Sequence, residues 1–331
     1  MKDYIVRKTQ SKTQSKHNDK YKYEYFDSNG QKIKNTVAKK FISKIYIPPA
    51  YTDVKISKNP DDKVLAIGYD DKQRPQYIYN KKHTQRRTKK KFNHMIKFGE
   101  SYNKIMNQVK RDLHGEFDSK NKQIAMSLML VVECGIRIGN EKYRDENNSF
   151  GATTLEPRHF KVKGDVVSVD FLGKKGVRNT GKIRSKRLSR NIRIKKRTFR
   201  SNEPIFAYRN KSKWFTLKSG DVNLYLKKFG NFSAKNFRTW VANLSFITEL
   251  IKCDKNNTGD TETHRKKNIT NAIKMVALKL NNTISVCKKN YIDPYVIQVY
   301  QNDYKLFQAS FKNISGKEDV SQRYIKLIKN K

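Results

Sequence analysis

A few positively charged residues and one tyrosine-bearing stretch hold most of the chemistry this sequence offers. Arg137 stands in "CGIRIGNEKY", directly after the most apolar run of the chain. Lys174 sits in "FLGKKG", a glycine-bracketed turn, and Lys235 and Arg238 share "AKNFRTW". Three residues apart, that last pair lies on one side of a helix. Further along, "NNTISVCKKNYIDP" (281–294) closes a helical stretch and carries Tyr291, one of 18 tyrosines. Taken singly, each cation has an ordinary structural role. Arg137 complements a helix C-terminus, Lys174 is a solvated turn lysine, and Lys235 with Arg238 forms an exposed basic face. Taken together they describe a site for a phosphodiester. Two guanidiniums can clamp the non-bridging oxygens while the phosphorus is attacked in line. A lysine whose pKa is lowered by neighbouring cations can protonate a departing 5′ oxygen. The nucleophile is then a Ser, Thr, Cys or Tyr, of which a phenol (pKa roughly 10) is the easiest hydroxyl to deprotonate. Spacing alone does not choose Tyr291 among the 18.

Composition points to the same class of substrate. Lys and Arg number 73 against 30 Asp and Glu, a net charge of +43 in 331 residues. A chain this basic repels itself and calls for a polyanion, and nucleic acid is the default, because phosphate contacts release counterions. A membrane partner is not expected, since no segment approaches 18 consecutive apolar residues and the N-terminus has no apolar signal-peptide core. Cys134, Cys253 and Cys287 are far apart and odd in number, which suits a reducing compartment and gives no metal-ligand spacing. H-E-x-x-H, a phosphate-cradling glycine loop and an acidic metal-holding cluster are all missing from the sequence. Neither a metal nor a cofactor is therefore expected.

The elements that must position these residues follow from hydrophobic period. Residues 1–20 are basic and aperiodic and are expected to form a flexible tail. "YKYEYFDSNGQKIKN" (21–35) predicts a hairpin about Asn29-Gly30. Strands are expected in 43–57, broken by Pro48-Pro49, and in 63–70 and 75–83, giving a β-rich unit over 21–85. The basic run 81–92 is expected to link it to a mainly helical unit over 86–331. There Tyr102, Ile105, Met106, Val109 and Leu113 share one helical face. Asp118 or Ser119 can cap a second, apolar helix that is expected to be buried. A β interlude turns at Gly164-Asp165. Ten of the 19 residues 182–200 are Lys or Arg, a solvated surface that would add affinity for a duplex. Helices are expected about 221–229 and 236–250, a mobile loop over 252–268, and a last helix through Ile269, Ile273, Val276 and Leu280.

"CGIRIGNEKYRDENNSFGATTL", "FLGKKG", "AKNFRTW" and "NNTISVCKKNYIDP" together resemble, in order and context, the type IB DNA topoisomerases. The likeness is nearest to the compact poxvirus, bacterial and giant-virus branch. "YEYFDSNGQKI", "IPPAYTDV" and "RPQYIYNKKH" are similar to that branch's N-terminal domain, and the resemblance spans roughly residues 21 to 300. It implies an α+β fold, with a small β-rich DNA-binding domain and a larger, mainly helical catalytic domain of the topoisomerase IB and tyrosine recombinase type. The two would clamp duplex DNA. Carried over by position, Arg137 and Arg238 would hold the scissile phosphate, and Lys174 and Lys235 would assist protonation of the 5′ oxygen. Tyr291 would form a 3′-phosphotyrosyl link. The fifth position, histidine in poxvirus enzymes and asparagine in bacterial ones, is Asn282, nine residues before Tyr291. Asparagine can donate a hydrogen bond to a phosphate oxygen but cannot exchange protons. Gln76, Tyr77, Tyr79, His83, Asn140 and Tyr143 are the implied DNA contacts, although Tyr77 and Tyr79 would also serve as packing at a strand edge. Asn140 departs from the poxvirus lysine, so the cleavage preference of those enzymes is not carried over.

The resemblance implies relaxation of supercoiled duplex DNA by transient single-strand cleavage and religation, without ATP or metal. A monomer is expected, intracellular and with DNA: in the host cell or virion if viral, in the nucleoid if bacterial, not secreted. Two alternatives stand beside it. A tyrosine recombinase or integrase would share the arginines, a lysine and the tyrosine, but typically shows His-x-x-Arg where this chain has Lys235-Asn-Phe-Arg238. A non-catalytic basic DNA-binding protein would bind without forming a covalent adduct.

Overall fold

Residues 3–13, 20–256 and 261–331 are described by the computed structural model. The chain divides into two units, Met1–Lys91 and Phe92–Lys331. The first carries strands β1 (Tyr4–Thr13) and β2 (Lys20–Phe26), helix α1 (Thr36–Ile42), and strands β3 (Thr52–Ser57), β4 (Val64–Tyr69) and β5 (Pro75–Tyr79). They form one antiparallel sheet in the order β2-β1-β3-β4-β5. Ile5, Val54, Ile56 and Ala66 are buried with Ile42 of α1, which closes one face. Asn35 caps α1 by accepting from the Val37 amide at 2.8 Å.

The tail expected over residues 1–20 is corrected over Tyr4–Thr13, which lies inside the sheet between β2 and β3. Residues 14–19 lie outside the described residues. Two side chains anchor β1. Ile5 is in the core, and the Arg7 guanidinium donates to the carbonyls of Tyr51 (2.6 Å), Pro48 (3.3 Å) and Ile47 (3.4 Å). Arg7 thereby pins the diproline loop, while stacking over Tyr23 at 4.4 Å. The hairpin expected at Asn29-Gly30 is a turn with Gly30 at φ +82°, closed by an isolated bridge from Phe26 to Lys32. The sheet partner of β2 is β1 instead.

Helix α2 (Lys81–Leu113) follows. The basic run 81–92, expected as a linker, is its first three turns. From Phe92 onward α2 buries Phe92, Met95, Phe98, Ile105, Val109 and Leu113 on one stripe. Ser119 caps α3 (Lys120–Glu133), accepting from the Lys122 amide at 3.4 Å, and α3 is buried nearly all round. Next come α4 (Glu141–Asn147) and an antiparallel sheet of β6 (Phe160–Lys163), β7 (Val166–Leu172) and β8 (Arg178–Arg184). Helix α5 (Lys186–Thr198) carries most of the second basic run, and a hairpin pairs β9 (Ala207–Asn210) with β10 (Lys213–Thr216). The rest is helical: α6 (Ser219–Lys227), α7 (Ala234–Asn256), α8 (Glu262–Lys279), α9 (Ile284–Asn290), α10 (Pro294–Asn302), α11 (Tyr304–Ser310) and α12 (Lys317–Lys329). Phe98 of α2, with Phe237 and Trp240 of α7 and Tyr324 of α12, centres this unit's core.

The mobile loop expected over 252–268 is largely helix, since α7 runs to Asn256 and Thr261 caps α8. Residues 257–260 lie outside the described residues. The architecture is the expected α+β one, a small β-rich part before a larger helical part. Among the described residues no helix is long and apolar enough to cross a membrane.

Candidate active site

Arg137 lies in the segment that leaves α3. Gly135, at φ +62°, turns the chain past the helix end. The next residues run beside 151–153: the Arg137 carbonyl accepts from the Ala152 amide at 2.8 Å and Ile138 from Thr153 at 2.7 Å. This crossing needs glycine on both sides. A Cβ on Gly151 would sit 2.5 Å from the Gly139 Cα and 2.7 Å from the Arg137 carbonyl oxygen. The Arg137 side chain is held at its tip, where Nη2 donates to Asn282 Oδ1 at 2.8 Å.

Lys235 and Arg238 occupy the start of α7, whose first turn has no acidic residue. Cations there oppose the helix dipole, a placement that stability alone does not favour. Lys235 is exposed. Arg238 is only 3% exposed, with Nη2 donating to the Leu280 carbonyl at 3.1 Å. Its Nε and Nη1 are buried and find no acceptor among the described residues, and the same holds for Asn282 Nδ2.

Tyr291 ends α9, the short helix capped by Thr283. Half of the stretch 281–294 that carries it is therefore helix. The phenol ring is nearly buried, with the Arg238 guanidinium 5.2 Å from its centroid. Burial pushes the Tyr291 pKa up, but the positive charges of Arg238, Arg137 and Lys235 outweigh it and hold the phenol below the ordinary tyrosine value. Cys287, one turn earlier, goes the other way: burial pushes its thiol up to about 11, against the pull of Arg238. Of these two potential nucleophiles, only the phenol is shifted toward its reactive form.

Two buried groups outside the expected set hold the tyrosine. Asn243 of α7, 0% exposed, donates from Nδ2 to the Tyr291 carbonyl (2.9 Å) and accepts at Oδ1 from the Asp293 amide (2.7 Å). Asp293 caps α10 and accepts from the buried Tyr324 hydroxyl at 3.2 Å. An amide flanked by the apolar residues of "WVANL" was a visible signal for Asn243, because a buried polar side chain needs specific partners.

Arg137, Lys235, Arg238, Asn282 and Tyr291 thus gather in one unit. Lys174 does not join them. It is exposed in the tight turn between β7 and β8, where Lys175 takes φ +64°, and makes no hydrogen bond or ion pair with the other five. Asn140 and Tyr143, at the start of α4, are exposed, and Asn140 makes no capping bond with its side chain. In the first unit, Tyr77 and Tyr79 project on the exposed face of edge strand β5, their rings stacked at 6.2 Å. Gln76, by contrast, donates to Asp70 at 2.9 Å. Burial, then the charges of Lys63 and Arg87, lower the His83 pKa. Among the described residues no three His, Cys, Asp or Glu side chains gather as a metal site.

The basic run 182–200 is not wholly a solvated surface. Lys195 is fully buried, donating to the Ala207 carbonyl at 3.0 Å and lying 5.0–5.8 Å from the rings of Phe117, Phe199 and Trp214. Lys196 donates to the carbonyls of Pro157 (2.6 Å) and Phe160 (2.7 Å).

Comparison with known proteins covers both units. A family profile described as the catalytic core of eukaryotic DNA topoisomerase I matches residues 80–317. One described as the N-terminal domain of bacterial DNA topoisomerase IB matches residues 22–70. The chain is 33% identical over 299 residues to DNA topoisomerase 1B of Acanthamoeba polyphaga mimivirus, covering 88% of each. It is 26% identical over 263 residues to DNA topoisomerase 1B of Vaccinia virus (strain Copenhagen), covering 78% of this chain and 80% of that one.

Proposed function

The chain belongs to the type IB DNA topoisomerases, and from that premise we propose that it relaxes supercoiled duplex DNA through Tyr291. The observation that carries this reading is the set of unsatisfied buried donors beside the tyrosine, Arg238 Nε and Nη1 and Asn282 Nδ2. A buried N–H without an acceptor costs about 1–3 kcal/mol. One anion with several oxygens would satisfy all three, and a phosphodiester next to a phenol of lowered pKa is the anion the family premise supplies.

In the proposed reaction the Tyr291 oxygen attacks the phosphorus in line. A bond forms between that oxygen and the 3′ phosphate, and the bond from phosphorus to the 5′ oxygen breaks. Arg137, Arg238 and Asn282 donate to the non-bridging oxygens, where negative charge grows in the transition state. Lys235, and Lys174 brought in on its turn, deliver the proton to the departing 5′ oxygen. The cations around Tyr291 favour release of the phenolic proton to water, and Asn282 takes no part in proton transfer. The free strand then rotates, and the 5′ hydroxyl attacks the phosphotyrosine to restore the backbone. One phosphoester replaces another at each step, so neither nucleotide nor metal is required.

Both units would engage the duplex and close around it, with Tyr77 and Tyr79 as contacts in the first and Asn140 and Tyr143 in the second. Gln76, already bonded to Asp70, and His83 would add to the first group. The protein would act as a monomer, inside the cell where its DNA is. The test is supercoiled plasmid in chelator without nucleotide. Wild type should give a ladder of relaxed topoisomers and a covalent adduct mapping to Tyr291. Tyr291→Phe should bind equally well and give neither; relaxation by that variant would sink the assignment.

A further inference from the structure

Tyr291 lies in a short joint, 291–293, between the end of α9 and the start of α10. Its amide donates to the Cys287 carbonyl at 2.9 Å and its carbonyl accepts from Asn243, so the backbone there is fixed from α9 and α7. The far end of the joint rests on Asp293, whose side chain is 0% exposed. One carboxylate oxygen, Oδ1, accepts from the Tyr295 amide at 3.0 Å and so caps α10. Capping requires an acceptor but no charge. Ser119, Ser185, Thr261 and Thr283 cap α3, α5, α8 and α9 with neutral hydroxyls, and Asp303, which caps α11, is exposed. A buried carboxylate is a costly choice for that task unless a cation compensates it.

The cation comes from the chain just beyond α12. Lys331 Nζ lies 3.6 Å from Asp293 Oδ1 and 5.0 Å from the centre of the Tyr295 ring, with its side chain 27% exposed. Among the described residues no other cation pairs with Asp293. Tyr324, inside α12, donates to the second oxygen, Oδ2, and packs on Trp240 of α7 at 5.3 Å. Burial pushes the Asp293 pKa up, and Lys331, the Tyr295 amide and Tyr324 pull it back. The carboxylate is thus held from the α12 side, while the amide of the same residue is held by Asn243 at 2.7 Å. Since Asn243 grips both Asp293 and the Tyr291 carbonyl, a shift of the carboxylate is passed to the tyrosine.

We infer that Lys331 is a positioning residue for the Tyr291 nucleophile, acting through the carboxylate of Asp293. This rests on the proposed function, in which the phenol must stand in line with the departing 5′ oxygen. Without Lys331 the ionised Asp293 has no counter-charge and is drawn toward water, taking the joint with it.

The test is a cycle of Lys331→Met, Asp293→Asn and the double variant, with Lys331→Arg beside it. Single-turnover cleavage and duplex binding are measured for each protein. Lys331→Met should bind equally well and cleave about tenfold more slowly, short of the roughly 10²-fold that a misplacement of about 1 Å costs. Lys331→Arg should restore cleavage, because it returns the charge. In the Asp293→Asn background, where no charge needs a partner, Lys331→Met should add nothing. Wild-type rates in Lys331→Met would overturn the inference. So would a loss of the same size in both backgrounds, which would mean that the lysine acts on the fold at large. A second measurement does not depend on turnover. With 3-fluorotyrosine in place of Tyr291, the fluorine resonance should shift in Lys331→Met and return in Lys331→Arg, and a resonance that stays put overturns the inference. If wild type binds duplex yet forms no covalent adduct, the proposed function fails instead, and the fluorine resonance alone decides whether Lys331 sets the tyrosine.

Discussion

Arg238 combines near-complete burial with two nitrogens that find no acceptor among the described residues, and an arginine is not held that way for packing. Burial lowers its pKa, with Tyr291 acting in the opposite direction, yet a guanidinium stays charged at any working pH. It is therefore a permanent buried cation facing the phenol. Arg238→Ala should slow single-turnover cleavage by about 10²–10³-fold, the cost of losing a preorganised oxyanion donor, and Arg238→Lys should recover little because it lacks the planar fork. Asn282 acts twice, through an unpaired Nδ2 and through the bond that steadies Arg137. Asn282→Ala should cost less, about tenfold, in line with one neutral hydrogen bond. Quenched-flow cleavage at saturating enzyme measures both, and an Asn282→Ala loss as large as that of Arg238→Ala would show that its role is misassigned. The residue types alone suggested the guanidinium clamp. Choosing Tyr291 from 18 tyrosines took the order of four motifs, because distance in sequence says nothing of distance in space.

At the scale of elements, the site depends on a backbone crossing. The chain at 137–139 and the chain at 151–153 approach so closely that Gly151 has no room for a methyl group. Gly151→Ala should destabilise the protein by about 1–3 kcal/mol, the usual penalty of overpacking. It should also slow cleavage by moving Arg137, as read from urea unfolding alongside single-turnover kinetics. Unchanged stability would mean the crossing yields more easily than its 2.5 Å contact implies. Elements with a strong period were legible in the sequence: α3 with its Ser119 cap, the turn at Gly164, and the buried face of α8. Strand β1 was not. Its apolar signal is confined to residues 4–6, and a pattern that short is swamped by the Lys, Gln, Ser and Thr that follow. What makes it a strand is tertiary, namely Ile5 in the core and Arg7 on the loop carbonyls. The run 81–92 holds the boundary between the two units, but as helix rather than as a break in structure. Lysine and arginine are good helix formers, and charge density does not mark a break.

Across the whole molecule, the +43 charge correctly indicated a polyanionic partner but not which cations would meet it. Lys195 spends its charge internally, and this has a global signature. Burial lowers its pKa to about 8, with Asp118 opposing and Lys122 adding, from the ordinary 10.5. Between those values the unfolded chain holds a proton there that the folded chain has shed, so stability rises with pH across that window and this group contributes no slope below it. Wild type minus Lys195→Met, compared by urea midpoints at each pH, should show a rise of at most about 3 kcal/mol, since other lysines titrate in both chains. A flat difference would place the ammonium in a wetter setting than the rings of Phe117, Phe199 and Trp214 suggest. The division between Lys91 and Phe92 reaches further still. It falls inside α2, where one good helix former can replace another, and every residue gathered around Tyr291 lies downstream. The chain therefore offers a ready seam for chimeras, at which a donor's β-sheet can be spliced upstream with every residue gathered around Tyr291 kept.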